Sequence, residues 1–225
     1  MKTLIVKYLP SGAESNTQKL LDLFLDLAPV HNREEIDLLQ TMPPLFTAAS
    51  MQAYLKRHYR KEPLTAHEAS LLARNDELIA QLKSSNVLVM AYPMHNFSMP
   101  AAVKAYFDAV MFKDVTFQKT ATGFEPMMRR LKALTLYTVG TEYPQGMVGA
   151  WPNWDGVSAL AKIEFEFMGF GETEILGLSL RGDQNLREQK LTAARTRLAG
   201  IVSRWYGPSQ KEPTAESLPS EAGQS

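Results

Sequence analysis

The chain has 225 residues, a length that favours one large domain over two small modules. Its 24 basic and 24 acidic side chains give no formal net charge, which disfavours a non-specific binder of nucleic acid, and the absence of cysteine excludes disulfides, zinc–thiolate sites and thiol nucleophiles. No apolar run approaches the roughly 20 residues of a membrane span, and the apolar start is too short for a signal peptide, so we expect a cytoplasmic protein with neither a membrane nor a nucleic-acid partner.

Short apolar runs alternate with amphipathic segments along the chain, and capping residues mark several helix starts. In the first half, the predicted elements are a strand at 3–6, a helix from Ser15 to Pro29, a strand at 36–39, a helical stretch near 48–59, a helix at 65–83 and a strand at 87–91. In the second half, they are a helix at 100–111, a hairpin at 115–127, a strand at 133–138, a helix at 155–168, a strand at 175–180 and a helix at 191–205.

Five strands separated by helices predict a doubly wound α/β fold, with a parallel sheet covered by helices on both faces. In such sheets the ligand crevice lies beyond the carboxyl ends of the strands, so the loops after the first, third and fourth strands are the places to look for a site. The segment 207–225 is rich in Pro, Ser, Glu and Gln and has no periodicity. We therefore predict one domain, residues 1–206, followed by a disordered tail.

The loop after the first strand contains one glycine, Gly12, so it lacks the glycine pattern of a pyrophosphate-binding turn. It carries hydroxyl and amide side chains at a helix N-terminus, a combination that suits a single terminal phosphate. The alternative is a helix cap with no ligand. The residues concerned are Ser11, Ser15, Asn16 and Thr17.

The loop after the third strand is short and bordered by prolines. The prolines restrict its backbone, so its N–H and C=O groups can be held in position to bind a planar heterocycle. Its residues are Pro93, Met94, His95, Asn96 and Phe97, and the alternative is a connecting loop with a buried Phe97. The loop after the fourth strand contains a glycine that permits close approach of a ligand to the backbone, although an ordinary turn has the same composition. Its residues are Thr138, Val139, Gly140 and Thr141.

Residues 93–108, PMHNFSMPAAVKAYFD, and 115–117, VTF, resemble the signature stretch of the FMN-dependent NADH azoreductases within the flavodoxin-like NAD(P)H:quinone oxidoreductases. The resemblance is specific over about 84–136 and weaker over about 3–200. It implies a five-stranded flavodoxin-like sheet in the order 2-1-3-4-5. It also implies FMN, with the phosphate on Ser15, Asn16 and Thr17 and the isoalloxazine ring against 94–97 and 138–141, and a homodimer with each flavin near the subunit boundary.

The activity implied by this resemblance is a two-electron, ping-pong reduction of quinones by NADH or NADPH, with azo compounds as further acceptors. Three loop aromatics, Phe117, Phe124 and Trp151, are candidates for a flat substrate slot, although loop aromatics are more often packing anchors. His95 is a candidate catalytic residue that donates a proton or hydrogen bond, and a packing role is the alternative. An electron carrier and a non-enzymatic flavin-binding regulatory module remain open as alternative functions.

The other charged and titratable groups give weaker signals. His31, His58 and His67 have no partner at metal-ligand spacing, so we expect no metal site. The basic run at 56–61 either attracts the phosphates of a nicotinamide dinucleotide or is simply a solvated face.

Overall fold

The computed structural model describes residues 1–140 and 155–207. Seven strands and six α-helices lie within these ranges. In chain order they are β1 (Thr3–Lys7), α1 (Asn16–Leu27), β2 (Arg33–Asp37), α2 (Ala48–Leu55), α3 (Ala66–Lys83), β3 (Val87–Pro93), α4 (Ala101–Val110), β4 (Phe117–Thr120), β5 (Gly123–Pro126), β6 (Lys132–Thr138), α5 (Gly156–Met168), β7 (Glu172–Leu178) and α6 (Gln184–Tyr206).

Five of the strands form one parallel sheet in the order β2-β1-β3-β6-β7. Numbered within the sheet alone, this is the expected order 2-1-3-4-5, so the predicted doubly wound fold is confirmed. The other two strands, β4 and β5, form a separate antiparallel hairpin that turns between Thr120 and Gly123. The predicted hairpin between the helix α4 and the strand β6 is therefore also confirmed.

Side chains of the central strands alternate between two apolar cores, one on each face of the sheet. Leu4 and Val6 of β1 enter the core that α2, α3, α4 and α5 cover, whereas Ile5 enters the core under α1 and α6. Because both faces are buried, apolar residues occupy consecutive positions along the central strands. This explains why their sequences show continuous apolar runs instead of alternation.

The two edge strands begin earlier than the sequence predicts. β2 starts at Arg33 instead of residue 36, and β7 starts at Glu172 instead of residue 175. Charged side chains are tolerated at these edges because they form ion pairs, such as Lys7 with Glu35 at 3.1 Å and Lys132 with Glu172 at 2.8 Å. Apolar runs therefore mark only the buried part of an edge strand.

The helix starts follow local capping chemistry. Thr65 and Glu68 form the predicted reciprocal capping box at α3, and the Asp155 side chain accepts from Ser158 N at the start of α5. The predicted helical stretch near 48–59 consists of α2 and a π-helical turn at Lys56–Arg60. Residues 208–225 of the predicted tail lie outside the described ranges. Among the helices described, none is long and apolar enough to cross a membrane.

Candidate functional site

The topological switch point of the sheet lies between β1 and β3. From β1 the chain continues to β2 on one side, and from β3 it continues to β6 on the other. In a sheet of this topology the loops after the two strands diverge, so the ligand crevice is expected at the carboxyl edge between them. Two aromatic rings meet there: Tyr8 follows β1, His95 follows β3, and their ring centroids are 5.7 Å apart in an edge-to-face arrangement. The crevice is therefore bordered by the first two loops that the sequence indicates.

The N-terminus of α1 forms one wall of this crevice. Ser15 is buried and caps the helix, accepting from Gln18 N at 3.2 Å. The backbone N–H groups of Asn16 and Thr17 precede the first intrahelical hydrogen bond, so they are available to an anion. Ser11 and Asn16 are exposed at the mouth of the loop.

Thr17 is fully buried, and its hydroxyl lies 2.6 Å from the hydroxyl of Thr138 at the end of β6. The two threonines therefore join α1 to the sheet through their side chains. An anion at this helix end would meet the backbone of Thr17 and not its hydroxyl.

The loop after β3 folds into a tight turn over His95–Ser98. His95 N donates to Ser98 O and Ser98 N donates to His95 O, both at 2.9 Å, and the two central residues have positive φ values, 46° for Asn96 and 68° for Phe97. Such φ values are those of a type I′ turn, which favours Asn or Gly over Phe. Phe97 is 47% exposed, so the alternative of a buried Phe97 is wrong.

The first residue of α5 is hydrogen-bonded to this turn. Gly156 N donates to Phe97 O at 2.9 Å, and a Cβ atom on Gly156 would overlap that oxygen. The neighbouring Asp155 accepts a hydrogen bond of 2.6 Å from the Tyr137 hydroxyl, which is also 2.8 Å from Ser158 Oγ. Burial, and secondarily the hydrogen bond with Asp155, raise the pKa of Tyr137, so the hydroxyl stays protonated.

The loop after β6 leaves the sheet beside the same turn. Met94 N donates to Thr138 O at 2.8 Å, and Val139 N donates to Leu178 O at 3.1 Å. Gly140 is exposed, and among residues 1–140 and 155–207 no heavy atom lies within 4 Å of an added Cβ, so the described part of the chain leaves its backbone open to a ligand. Thr141 and Trp151 lie outside the described residues.

Phe117 and Phe124 lie at the opposite end of the sheet. Their hairpin follows the end of α4. The end of the hairpin and the residues just before β3 together line a cavity of about 580 Å³, whose walls are residues 83–86 and 125–131. Both rings pack on Phe167 of α5, with centroid distances of 4.9 and 5.5 Å. Within one chain, therefore, these two aromatics are not brought to the crevice.

The basic run at 56–61 is not a free cationic patch. Four of its side chains form ion pairs, which are Lys56–Glu68, Arg57–Asp76, Arg60–Glu62 and Lys61–Asp114. The interpretation as a solvated, charge-balanced face is the one that this geometry favours. Within 1–140 and 155–207, no three histidine or acidic side chains are grouped closely enough to hold a metal ion.

Residues 1–201 match the family whose description is the flavodoxin-like fold. The chain belongs to this family. An FMN-dependent NADH:quinone oxidoreductase of Haemophilus influenzae is 32% identical to this flavodoxin-like chain over 181 residues, which cover 76% of the chain and 89% of that relative. A Pseudomonas putida protein named FMN-dependent NADH:quinone oxidoreductase 2 is 26% identical over 208 residues, 89% of the chain and 99% of the relative.

Solved structures show the same architecture. A Bacillus anthracis FMN-dependent NADH-azoreductase in complex with FMN superimposes with a TM-score of 0.75 and 22% identity, covering 89% of the flavodoxin-like chain and 99% of the solved one. A likeness at this identity establishes the fold.

Sequence reasoning indicated the loops that border the crevice but missed Tyr137, Gly156 and Gly177. A Cβ on Gly177 would overlap the Tyr137 ring, so this glycine in β7 makes room for a side chain of β6. The contact of Gly177 with Tyr137 and that of Gly156 with Phe97 leave no local pattern in the sequence, because each joins residues that are distant along the chain. The sequence signal that points to Gly156 is its position directly after Asp155, the residue that caps α5.

Proposed function

We propose that this flavodoxin-like protein is an FMN-dependent NADH:quinone oxidoreductase that also reduces azo compounds, with residues 1–206 as its catalytic domain. The observation that carries the proposal is the meeting, in one crevice, of a helix start with available N–H groups, a positive-φ turn and an open glycine backbone. This donor set fits a planar ring with one terminal phosphate. The Haemophilus influenzae relative, named for FMN, NADH and quinone, supports the same assignment.

We assign the FMN phosphate to the start of α1, where the backbone N–H groups of Asn16 and Thr17 and the hydroxyls of Ser11 and Ser15 would hold it. The flavin ring is assigned to two loops that supply backbone groups and flat apolar contacts. The residues assigned to the ring are Pro93, Met94, His95, Asn96, Phe97, Thr138, Val139, Gly140 and Thr141.

FMN, when bound, supplies the hydride-transfer chemistry, so no side-chain nucleophile is needed. The chain's own residues orient the ring, with the backbone N–H groups of Asn96 and Gly140 as donors that stabilise negative charge on it. His95, exposed beside Tyr8, is the proposed hydrogen-bond or proton donor to the reduced acceptor. Donor and acceptor use the same slot in turn, which gives ping-pong kinetics.

NADH is the proposed donor in preference to NADPH. The relatives are named for NADH, and the basic run at 56–61, which would otherwise attract the additional phosphate of NADPH, is neutralised by acidic partners. Because NADH is a metabolite of the cell interior, we place the reaction in the cytoplasm.

We further propose a homodimer in which each subunit completes the substrate slot of the other. Phe117 and Phe124 are both far from the crevice of their own chain. Phe117 is only 7% exposed and packs on Phe167, so it is a packing anchor, whereas Phe124 is 57% exposed and can line a slot only across a subunit boundary. Trp151 is assigned to the same slot. The connection before α2 also exposes apolar side chains, including Met42 at 61% and Leu45 at 70%, of the kind that subunit contacts cover.

The experiment that tests the function is anaerobic reduction of the FMN-loaded protein by NADH, followed through the flavin absorbance. We expect complete bleaching by one equivalent of NADH and recovery of the oxidised spectrum on addition of a quinone. A protein that binds FMN but is not reduced by NADH would be a carrier or a regulatory module instead. A protein that binds no FMN would contradict the proposal altogether.

A further inference from the structure

The turn at His95–Ser98 contains a backbone conformation that its own sequence disfavours. Phe97 has a φ of 68°, a region in which a residue with a Cβ atom is strained. The two hydrogen bonds between His95 and Ser98 close a two-residue loop of the kind that favours primed turns, but they do not remove the cost of positive φ at a residue such as Phe97, which has a Cβ atom. Contacts from outside the turn must therefore contribute to holding this conformation.

Gly156 supplies such a contact from the first residue of α5. Its N–H donates to Phe97 O at 2.9 Å, and this approach is possible only because Gly156 has no side chain. The hydrogen bond fixes the orientation of the peptide group between Phe97 and Ser98. Any larger residue at 156 would push this carbonyl away.

A second set of contacts fixes the start of α5 itself. The Tyr137 hydroxyl donates to Asp155 Oδ2 at 2.6 Å, while Asp155 Oδ1 accepts from Ser158 N at 3.0 Å. The Tyr137 ring lies over Gly177, so its position is set by both β6 and β7. The sheet is thereby connected through Tyr137 and Asp155 to Gly156, and through Gly156 to the turn.

We propose that Gly156 and the Tyr137–Asp155 pair are positioning residues for ligand binding, which hold the turn at 95–98 in its strained, binding-competent conformation. The identity of the ligand as FMN rests on the proposed function, whereas the mechanical role of the three residues does not. None of them is assigned a direct contact with the ligand. They act through the Phe97 carbonyl.

The test compares Gly156→Ala with a matched control, Gly171→Ala. Gly171 N donates to Leu131 O at 2.8 Å, and a Cβ there would overlap Arg129 O, so the control imposes the same kind of overlap at the opposite end of α5. We expect Gly156→Ala to weaken FMN binding by about tenfold or more and Gly171→Ala to change it less than about threefold, at similar losses of melting temperature. The absorption spectrum of the bound flavin should shift only in Gly156→Ala.

Amide hydrogen exchange in the FMN-free full-length chain provides a readout that does not need FMN. We expect the His95 and Ser98 amides to exchange faster in Gly156→Ala and in Tyr137→Phe, which keeps the ring and loses the hydroxyl, but not in Gly171→Ala. Unchanged exchange of these amides in both variants, or equal loss of FMN affinity in Gly156→Ala and Gly171→Ala, would overturn the proposal. If the unaltered protein binds no FMN, the proposed function fails, and the exchange rates still decide the role of Gly156.

Discussion

His58 lies in an aromatic cluster between the π-helical turn and the end of α4, where it is 7% exposed. Its ring centroid is 5.0 Å from that of Tyr54 and 5.4 Å from that of Phe112. Arg57 Nε donates to His58 Nε2 at 2.9 Å, which requires a neutral imidazole. Burial, and then the charge of Arg57, lower the pKa of His58, while a hydrogen bond with Lys113 and the charge of Asp114 oppose this effect.

A lowered pKa in the folded state makes stability depend on pH. The neutral ring contributes fully above the unfolded pKa of about 6.5, and this contribution is lost as the pH falls through that value towards the folded pKa. We expect the melting temperature to fall on going from neutral to mildly acidic pH, and His58→Gln, which keeps an acceptor for Arg57, to reduce that slope. His67→Gln, at an exposed position of α3, is the control and should leave the slope unchanged. A wild-type slope in His58→Gln would assign the effect to other groups.

His95 is a residue whose chemistry and packing can be separated. His95→Phe keeps an aromatic ring against Tyr8 but has no proton to donate. We expect FMN affinity within about threefold of wild type, together with a changed pH dependence of kcat/KM for quinone reduction. Tyr8→Phe, which retains the ring contact, serves as the control. An unaltered pH profile in His95→Phe would leave His95 with a packing role only.

At the scale of single elements, the turn at 95–98 and the first turn of α1 decide the shape of the crevice. The turn depends on positive φ at two successive residues, and α1 depends on one cap at Ser15. Both are local features, so each can be altered without changing the packing of the sheet. Each therefore provides a specific test of ligand binding.

Asn96 has a φ of 46°, and the proline ring fixes φ near −65°. Asn96→Pro should therefore disrupt the turn and abolish FMN binding, as measured by fluorescence titration. Asn96→Gly adopts positive φ without strain and should bind FMN within a few-fold of wild type. If Asn96→Pro bound FMN normally, the turn would not be part of the flavin site.

Ser15 combines a structural role with the proposed contact to phosphate. Ser15→Ala should lower the free energy of unfolding by about 1 kcal/mol, because the first turn of α1 loses its cap. Ser15→Asp should restore most of that stability, since aspartate caps helices well, yet weaken FMN binding because its charge repels the phosphate. Chemical denaturation and FMN titration of the two variants measure these effects separately. Tight FMN binding by Ser15→Asp would place the phosphate elsewhere.

Elements whose signal is local could be predicted from the sequence. The capping box at Thr65 and the buried run of β3 are both found at the expected positions, because capping and double-sided burial act on neighbouring residues. The start of β7 could not be predicted, because Glu172 is held in the strand by an ion pair with Lys132, which is forty positions earlier in the chain. The burial of Thr17 against Thr138 is non-local in the same way, and it was missed for the same reason.

At the scale of the whole molecule, the carboxyl edge of the sheet carries the crevice, and the amino edge carries the hairpin with the exposed ring of Phe124. The proposed dimer brings these two ends together across a subunit boundary. The exposed apolar residues before α2 are the best positions at which to disrupt the dimer by substitution, because their replacement leaves both cores intact.

Leu45→Asp places a charge on a side chain that is 70% exposed in one chain. We expect the unaltered protein to sediment with twice the chain mass of 25.2 kDa and the variant to sediment increasingly as the single chain. Leu186→Asp, on the exposed side of α6, is the control and should remain a dimer. Single-chain mass for the unaltered protein at micromolar concentration would contradict the dimer.

The pairing of β1 with both β2 and β3 has a consequence for synthesis of the chain. β2 follows β1 after one helix, but about 84 residues separate β1 from β3, as the contact of Lys2 with Asn86 shows. At roughly 5 to 20 residues per second, a ribosome needs about 4 to 17 s to make that interval. During this time Leu4, Ile5 and Val6, all buried in the finished sheet, have only one neighbouring strand to cover them. The nascent chain therefore leaves three apolar residues of β1 partly uncovered for seconds, an interval in which we expect it to be prone to association with other apolar surfaces.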